Sequence, residues 1–298
     1  MIRNTGWRRL QRWFALGWVG LGFTSVAAET TLLDRALASW KSGEHTNALA
    51  LVDQAVKESP RDVRTLNFRA QIRALLGRRA EAIADITAAI AVDPQSPWLY
   101  HERAEHQFRA GNFTAACADF ARADELSPQR AAHDWQRGIA LYYAGRYAEG
   151  RKLFELHRTV NPEDVENAAW HFLCVARMDG MEKARADLIV VGADARVPMR
   201  EVQGLFGGKL TPAEVFQAAE AGAEAERPGP RFYAHLYVGL YYEAAGQRPQ
   251  AEEHIRKAAA LARYGGYMGE VARVHALLFD APAGSPKPAA PAPPAAGK

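Results

Sequence analysis

The feature that most constrains this 298-residue chain is a spacing of 34 residues that recurs over more than a third of its length. Prolines follow this step, and so do glycines that lie midway between them. The two columns are Pro60, Pro94, Pro128 and Pro162, and Gly43, Gly77, Gly111 and Gly145. A fixed period of this length is typical of stacked structural units, none of which buries its apolar face alone.

The residue types in the repeat predict two antiparallel helices in each unit. Glycine adopts the left-handed conformation that often ends a helix, and proline cannot continue one. Small residues keep three further columns and let helix axes approach to about 8–10 Å. These columns are Ala36, Ala70, Ala104 and Gly138; Ala48, Ala82 and Ala116; and Ala55, Ala89 and Ala123. We therefore expect an all-α fold.

The pattern resembles the tetratricopeptide repeat (TPR) family. This resemblance implies an α-solenoid of antiparallel helix pairs whose concave groove binds a protein or peptide. We predict four regular units over residues 29–164, then a degenerate unit and an irregular helical insert over 165–231. Unit spacing returns over 232–280, where we expect one more TPR unit and a C-terminal capping helix. Residues 281–298 contain six prolines and seven alanines and are predicted to form a disordered tail.

The N-terminal segment, residues 1–28, is typical of a signal peptide. It contains four arginines and no acidic residue, followed by a 14-residue apolar stretch and small residues up to Ala28. This apolar stretch is too short to cross a hydrocarbon core of about 30 Å as a helix. We expect cleavage near Ala28/Glu29, a periplasmic or secreted location and no stable membrane anchor; an uncleaved signal anchor is the alternative.

The charge of the chain changes once this segment is set apart. The formal charge of the whole chain is +3, but residues 29–298 carry 33 basic and 34 acidic side chains. Without its four leading arginines the chain has no basic arm of the kind that binds phosphates. We therefore predict that nucleic acid is not a partner.

The first helix of each unit is predicted to line the groove. Its exposed positions carry aromatic residues beside polar ones, a combination common in peptide-binding surfaces. The predicted partner-binding residues are Trp40, Asn67, Trp98, His101, Phe108, Arg109, Trp135, Tyr142 and Tyr143. The alternative is that the superhelix or the insert over 190–231 covers these rings. TPR co-chaperones clamp a carboxylate with Lys, Asn and Arg, and Asn67 is the one suitable residue here, so no such clamp is expected.

No catalytic, metal or cofactor site is predicted. The segment from His101 to His106 departs by one residue from both zinc-protease patterns. Four histidines in the C-terminal part, His171, His235, His254 and His275, leave a metal site as a minor alternative. Cys117 and Cys174 lie in non-adjacent units, and a disulfide needs Cα atoms within about 7 Å. We expect both cysteines to be free, buried thiols.

A finer resemblance concerns the segment from Arg137 to Arg146. This segment, followed by a degenerate helix pair, looks like the periplasmic TPR adaptors of the NlpI type, which implies cell-envelope enzymes as partners. Those adaptors are lipid-anchored, and this chain has no cysteine after its apolar stretch. The favoured function is an exported, non-catalytic TPR scaffold. The alternatives are a self-associating structural protein of the cell envelope, with the chain as a homo-oligomer, and an enzyme with its site in residues 190–231.

Overall fold

The computed structural model describes residues 31–280, which form α-helices joined by short turns and contain no strand. The predicted signal peptide and Pro/Ala-rich tail lie outside the described residues. The helices are α1 (Leu32–Lys41), α2 (His45–Glu58), α3 (Val63–Leu75), α4 (Arg79–Val92), α5 (Pro97–Arg109), α6 (Phe113–Leu126), α7 (Trp135–Tyr143), α8 (Tyr147–His157), α9 (Val165–Ala186), α10 (Met199–Phe206), α11 (Pro212–Ala219), α12 (Pro228–Ala244), α13 (Arg248–Ala260) and α14 (Tyr267–Asp280). Between residues 31 and 280, no helix is both long and apolar enough to cross a membrane.

Five helix pairs form the repeat units: α1/α2, α3/α4, α5/α6, α7/α8 and α12/α13. In the first four pairs the first helix ends just before the repeated glycine, which has a φ of 74–82°. Side chains other than glycine rarely adopt this conformation, so the glycine column marks the turn between helices. The all-α solenoid predicted from the repeat is confirmed.

Small residues lie where the two helices of a unit cross. Ala36, Ala70 and Ala104 are fully buried, and Gly138 takes their place in the fourth unit. A Cβ atom on Gly138 would lie 2.6 Å from Cζ of Phe154, which is itself buried in the seam between α7 and α8. The large residue on one helix therefore depends on the small residue on the other.

An arginine–aspartate pair recurs inside the second and third units. Arg69 binds Asp85 at 2.6 Å, and Arg103 binds Asp119 at 2.7 Å, one repeat step further along the chain. Both pairs join the first helix of a unit to its second helix. In the fourth unit, Leu153 replaces the aspartate, and Arg137 instead binds Asp124 of α6 at 2.7 Å. The ion pair thus moves from within a unit to between units.

In the degenerate unit, which begins with α9, the insert takes the place of a regular second helix. Helix α9 is broken at Gly180, whose φ is 86° and ψ is 169°, so only a short helical segment follows the kink. The insert is helical, as predicted, and contains the two short helices α10 and α11. Phe172 stands where the repeat has a small residue, and its ring packs edge-on against Phe206 of α10 at 5.0 Å. The insert therefore fills the space that the larger side chain opens.

The C-terminal helix does more than cap the stack. Helix α14 packs on α13, as a capping helix would, but it also reaches the first helices of units three and four. The ring of Tyr267 lies 5.9 Å from that of Phe108 on α5 and 5.1 Å from that of Trp135 on α7. Part of the concave groove is thus covered by the chain itself.

A buried polar network fastens α14 in this position. The Tyr143 hydroxyl lies 2.9 Å from Nδ1 of His275, and Nε2 of His275 lies 3.4 Å from Oε2 of Glu243. Arg177 pairs with Glu243 at 3.0 Å and donates from Nε to the Tyr142 hydroxyl, also at 3.0 Å. The network therefore joins α7, α9, α12 and α14 in a largely water-free interior.

Replacing Gly138 by alanine should destabilise the protein by about 1–3 kcal/mol, because the added methyl group overlaps the buried ring of Phe154. Gly229→Ala is the matched control, since a Cβ atom there meets nothing within 4 Å. The free energy of unfolding from urea titrations gives both values. Equal stability of the two variants would contradict the proposed crowding at the α7/α8 crossing.

Replacing Glu243 by alanine should cost about 3–5 kcal/mol of folding free energy, because it removes the carboxylate that lies 3.0 Å from the buried guanidinium of Arg177. Glu252→Ala removes one end of the exposed pair with Arg256 and should cost less than about 1 kcal/mol. Urea unfolding near neutral pH measures both changes. Similar losses in the two variants would show that the buried network does not hold α14.

Candidate functional site

The concave groove is divided into an accessible part and a covered part. Helices α1, α3 and α5 contribute the accessible part, and α14 lies over the groove face of α5 and α7. The predicted groove residues fall on both sides of this division. Their exposure therefore decides which of them can contact a partner in this conformation.

Four of the predicted residues keep part of their surface exposed: Trp40, Trp98, Arg109 and Trp135. Trp40 packs edge-on against Phe68 at a ring distance of 6.1 Å. Arg109 donates to Glu105 at 2.8 Å while 26% of its side chain stays exposed. Asn67 and His101 are more deeply placed, each with 8% of its surface exposed. The four partly exposed side chains form an accessible aromatic and polar surface, whereas Asn67 and His101 are buried.

Three predicted contact residues are core residues instead. Phe108 and Tyr142 are fully buried, and Tyr143 is 3% exposed. The ring of Tyr143 stacks on Phe113 at 5.2 Å, and its hydroxyl reaches His275 of α14. The prediction that these three rings contact a partner is corrected, because α14 and the helices beneath it enclose them. The alternative of internal burial holds for them: α14 contacts Phe108 and Tyr143, and Tyr147 and Trp170 pack against Tyr142.

A cavity of about 330 Å³ lies beside the covered part of the groove. It is bounded by α7, α8, α9, the loop before α10, α12 and the start of α14. Its walls are largely aromatic and include Trp135, Trp170, Tyr233 and Tyr267. This volume is within the range of pockets that hold small ligands or single side chains.

One side of the cavity carries charge. Arg196 binds Asp164 at 2.6 Å and Asp194 at 2.5 Å, and it also binds Glu166. The Tyr237 hydroxyl donates to the second oxygen of Glu166 at 2.6 Å. We call Asp164, Glu166, Asp194 and Arg196 the acidic corner, since three carboxylates here face one guanidinium.

The acidic corner changes the pKa values of its own carboxylates and of the neighbouring Tyr233. Burial alone would raise the pKa of Asp194, but hydrogen bonds from Arg196 and from the backbone N–H groups of Arg196 and Val165 lower it. Burial raises the pKa of Tyr233 to about 12, and the charge of Glu166 adds to this effect. Tyr233 thus stays neutral and presents its ring as a wall of the cavity.

The four histidines of the C-terminal part do not converge on one point, although His235 and His254 contact each other. Cys117 and Cys174 are free and buried, as predicted, and burial raises the pKa of the Cys117 thiol to about 11. His171 lies 3.4 Å from Glu155, and His275 belongs to the α14 network. The Nδ1 atoms of His235 and His254 lie 3.0 Å apart. Within residues 31–280 no group of three or more metal-ligating side chains is arranged to hold an ion.

Of the residues that line the cavity, only Trp135 was predicted from the sequence as a contact residue. Asp164, Glu166 and Arg196 lie at the degenerate unit and the insert, where no column assigns positions. Tyr267 lies on the helix predicted as a cap and faces the groove only because the chain turns back before α14. The three acidic residues within residues 163–166 are a sequence signal that could have indicated this region.

Asp134 is a second buried acidic group in the groove region. It begins α7 by accepting from the backbone N–H of Arg137 at 3.2 Å, and its Oδ1 lies 3.8 Å from Nε2 of His101. Burial raises the pKa of this carboxyl to about 7, the charge of Asp124 adds to the rise, and the Arg137 N–H opposes it. The folded protein therefore favours the neutral form of Asp134.

Asp134→Asn should match the natural chain in stability near pH 4 and exceed it by about 1–3 kcal/mol above pH 7. The natural chain loses stability as pH rises from the unfolded pKa, about 3.9, through the higher folded pKa of this carboxyl. Asparagine keeps the helix cap without this cost. Asp62→Asn, at the partly exposed cap of α3, should change stability by less than about 0.5 kcal/mol at either pH. Urea unfolding at both pH values measures this, and a constant difference for Asp134→Asn would contradict the assignment.

The comparisons with known proteins agree with this architecture. Two overlapping stretches, residues 33–97 and 76–131, match the family model of the tetratricopeptide repeat. A tetratricopeptide repeat protein from Parabacteroides merdae has a similar structure, with 15% identity and a TM-score of 0.53 over 82% of this chain and 96% of that one. The C-terminal part of a TPR repeat-containing protein from Cytophaga hutchinsonii matches at 14% identity and a TM-score of 0.47, over 78% of this chain and 84% of that one.

At this identity the likeness to the first structure shows the fold alone. The finer resemblance to NlpI-type adaptors stays a prediction. The family model covers the first three units, and the helix pairs α7/α8 and α12/α13 continue the same architecture beyond it. Residues 33–131 therefore match the tetratricopeptide repeat family model, and the described residues share the all-α fold of stacked helix pairs that this repeat forms.

Proposed function

We propose that this protein is an exported TPR scaffold that binds a protein or peptide partner on its concave side and has no catalytic activity of its own. TPR solenoids generally act as scaffolds for protein–protein interaction. The observation that carries the proposal for this chain is the aromatic cavity of about 330 Å³ next to an accessible groove surface. Trp98, Arg109 and Trp135 offer the side-chain types that commonly dominate binding interfaces.

The accessible surface and the cavity are arranged in sequence along the groove. Trp98 and Arg109 lie at the two ends of α5, and Trp135 begins α7 at the edge of the cavity. A bound segment that follows the groove passes from the first units toward this opening and ends against the rings of Trp135 and Tyr267. Helix α14 blocks further progress, because it already contacts Phe108 and Tyr143.

Export remains part of the proposal and rests on residues 1–28. Their arginines, apolar stretch and small residues before Glu29 are typical of a cleaved leader. The mature chain then carries its partner-binding groove outside the cytoplasm, where cell-envelope proteins are the available partners. Protein recovered from a periplasmic extract should have the mass of residues 29–298.

Partner capture from a periplasmic extract tests the function. The natural chain should retain a defined protein, which then binds as a purified component, and Trp98→Ala with Trp135→Ala should weaken that binding by at least about tenfold. Tyr100→Ala is the matched control. This ring lies on the same helix as Trp98 but packs with Arg103 and Arg122. All variants are first compared by thermal unfolding.

Each other outcome points to a named alternative. Undiminished binding by the double variant would exclude the groove as the contact surface. Absence of a partner together with concentration-dependent assembly in light scattering would favour the self-associating structural protein. Turnover of a substrate that depends on residues 190–231 would favour the enzyme.

A further inference from the structure

Within residues 31–280, the acidic corner has more carboxylates than cationic groups paired with them. Asp164, Glu166 and Asp194 surround the single guanidinium of Arg196, which leaves two formal negative charges. Burial raises the pKa of Glu166, but both of its oxygens accept hydrogen bonds, one from Arg196 and one from Tyr237, and these bonds favour the ionised form. The field at this side of the cavity is therefore negative and is focused by low-dielectric walls.

The corner is held rigidly rather than assembled from mobile side chains. Asp164 begins α9, where its Oδ1 accepts from the backbone N–H of Glu166 at 3.0 Å. Asp194 accepts from the backbone N–H of Val165 at 3.1 Å, which ties the loop before α10 to the same helix end. Glu163 accepts from the N–H groups of Gly192 and Ala193 at 3.1 and 2.8 Å. Folding has thus already ordered these carboxylates, so little side-chain entropy is lost when a ligand binds to them.

Aromatic rings form further walls of the cavity beside these carboxylates. Trp135 and Tyr267 meet edge to face at 5.1 Å, and the ring of Tyr233 bounds the same space. The faces of aromatic rings attract cations, and this attraction is stronger where water is largely excluded. Rings and carboxylates therefore favour the same kind of ligand.

We propose that the cavity binds a cationic side chain, lysine or arginine, of the partner segment that occupies the groove. This inference rests on the proposed function and specifies the chemistry of the partner. The ammonium or guanidinium group lies toward Asp164 and Glu166, and the methylene chain packs against Trp135 and Tyr267. An acidic side chain is excluded by the two uncompensated negative charges. A neutral side chain fits between the walls but gains no electrostatic attraction from the carboxylates of the acidic corner.

Arg196 supports this assignment from within the chain. It is a guanidinium already bound by the same carboxylates, and 45% of its side chain remains exposed. The acidic corner thus holds one planar cation, with carboxylate charge left over for a second. Arg196 also separates the carboxylates, which limits their mutual repulsion when the cavity holds no ligand.

The test uses blocked alanine pentapeptides that differ only in the central residue. Lysine is compared with norleucine, arginine with citrulline, and glutamate serves as the acidic probe. Binding to the full mature chain is followed by tryptophan fluorescence and by calorimetry. We expect the lysine or the arginine peptide to bind at least about tenfold more tightly than its neutral counterpart, and added salt should reduce this preference.

Three variants test whether the preference for a cationic side chain arises in the cavity. Glu166→Gln keeps the shape and the hydrogen bond from Tyr237 but removes one charge, so it should reduce the preference for the cation by at least about threefold. Glu155→Gln removes an equal charge on α8 outside the cavity, where Glu155 pairs with Arg151, and should leave the preference unchanged. Thermal unfolding shows whether each variant is folded. Trp135→Leu removes a ring that attracts the cation, so it should weaken the cationic peptide more than its neutral counterpart.

The possible results separate this inference from the proposed function. Equal binding of charged and neutral peptides, absence of binding by any peptide, or an unchanged preference in folded Glu166→Gln would overturn the cation site. Trp98-dependent capture of a protein partner would still support the scaffold in each of those cases. Conversely, a cation preference without any protein partner would retain the site and exclude the scaffold.

Discussion

Neighbouring helices in this chain approach closely because a small residue lies at each crossing. Phe154 occupies the space left by Gly138, and Ile255 lies 2.9 Å from where a Cβ atom of Gly239 would be. Each of these large side chains is buried against the small residue of the other helix in its own unit. The same crossings align the first helices of successive units, so the concave groove follows from the packing rather than from any separate signal.

Helix α14 makes this stack different from a simple solenoid. In a simple solenoid each unit contacts its neighbours alone, but here α14 joins the first helices of units three and four through Tyr267, Tyr143 and His275. One continuous core then extends from α5 to α14, while the first two units rely on smaller clusters of their own. Stability and groove shape in the C-terminal half are therefore set by contacts between distant parts of the sequence.

This closure also decides where a partner can bind. Three aromatic rings that a groove would present to a ligand are used as core, and the remaining groove opens on a cavity with an acidic corner. A carboxylate clamp of the TPR co-chaperone type needs positive charge in the groove, whereas the cavity here carries an excess of carboxylates. The sign of the charge favours a basic segment as the ligand and disfavours an acidic one.

The sequence by itself determined the helix pairs, their turns and their order. The reason is physical: a glycine with positive φ, a proline that ends a helix and a small residue at a crossing each act locally and recur at the same step. The arginine–aspartate pairs of units two and three were readable in the same way, since Arg69 and Arg103 keep the step. Trp98, Arg109 and Trp135 keep part of their surface exposed in the groove region, and their contact with a partner stays a prediction. Only the tertiary structure decided that Phe108, Tyr142 and Tyr143 are buried and that Asp164, Glu166 and Arg196 meet Tyr233 and Tyr267. The rings of Phe108 and Tyr143 are buried by α14, which is far away in the sequence, and Glu166 and Arg196 lie outside the regular repeat. No periodic column carries such contacts, because they form only when α14 and the loop before α10 pack against the earlier helices.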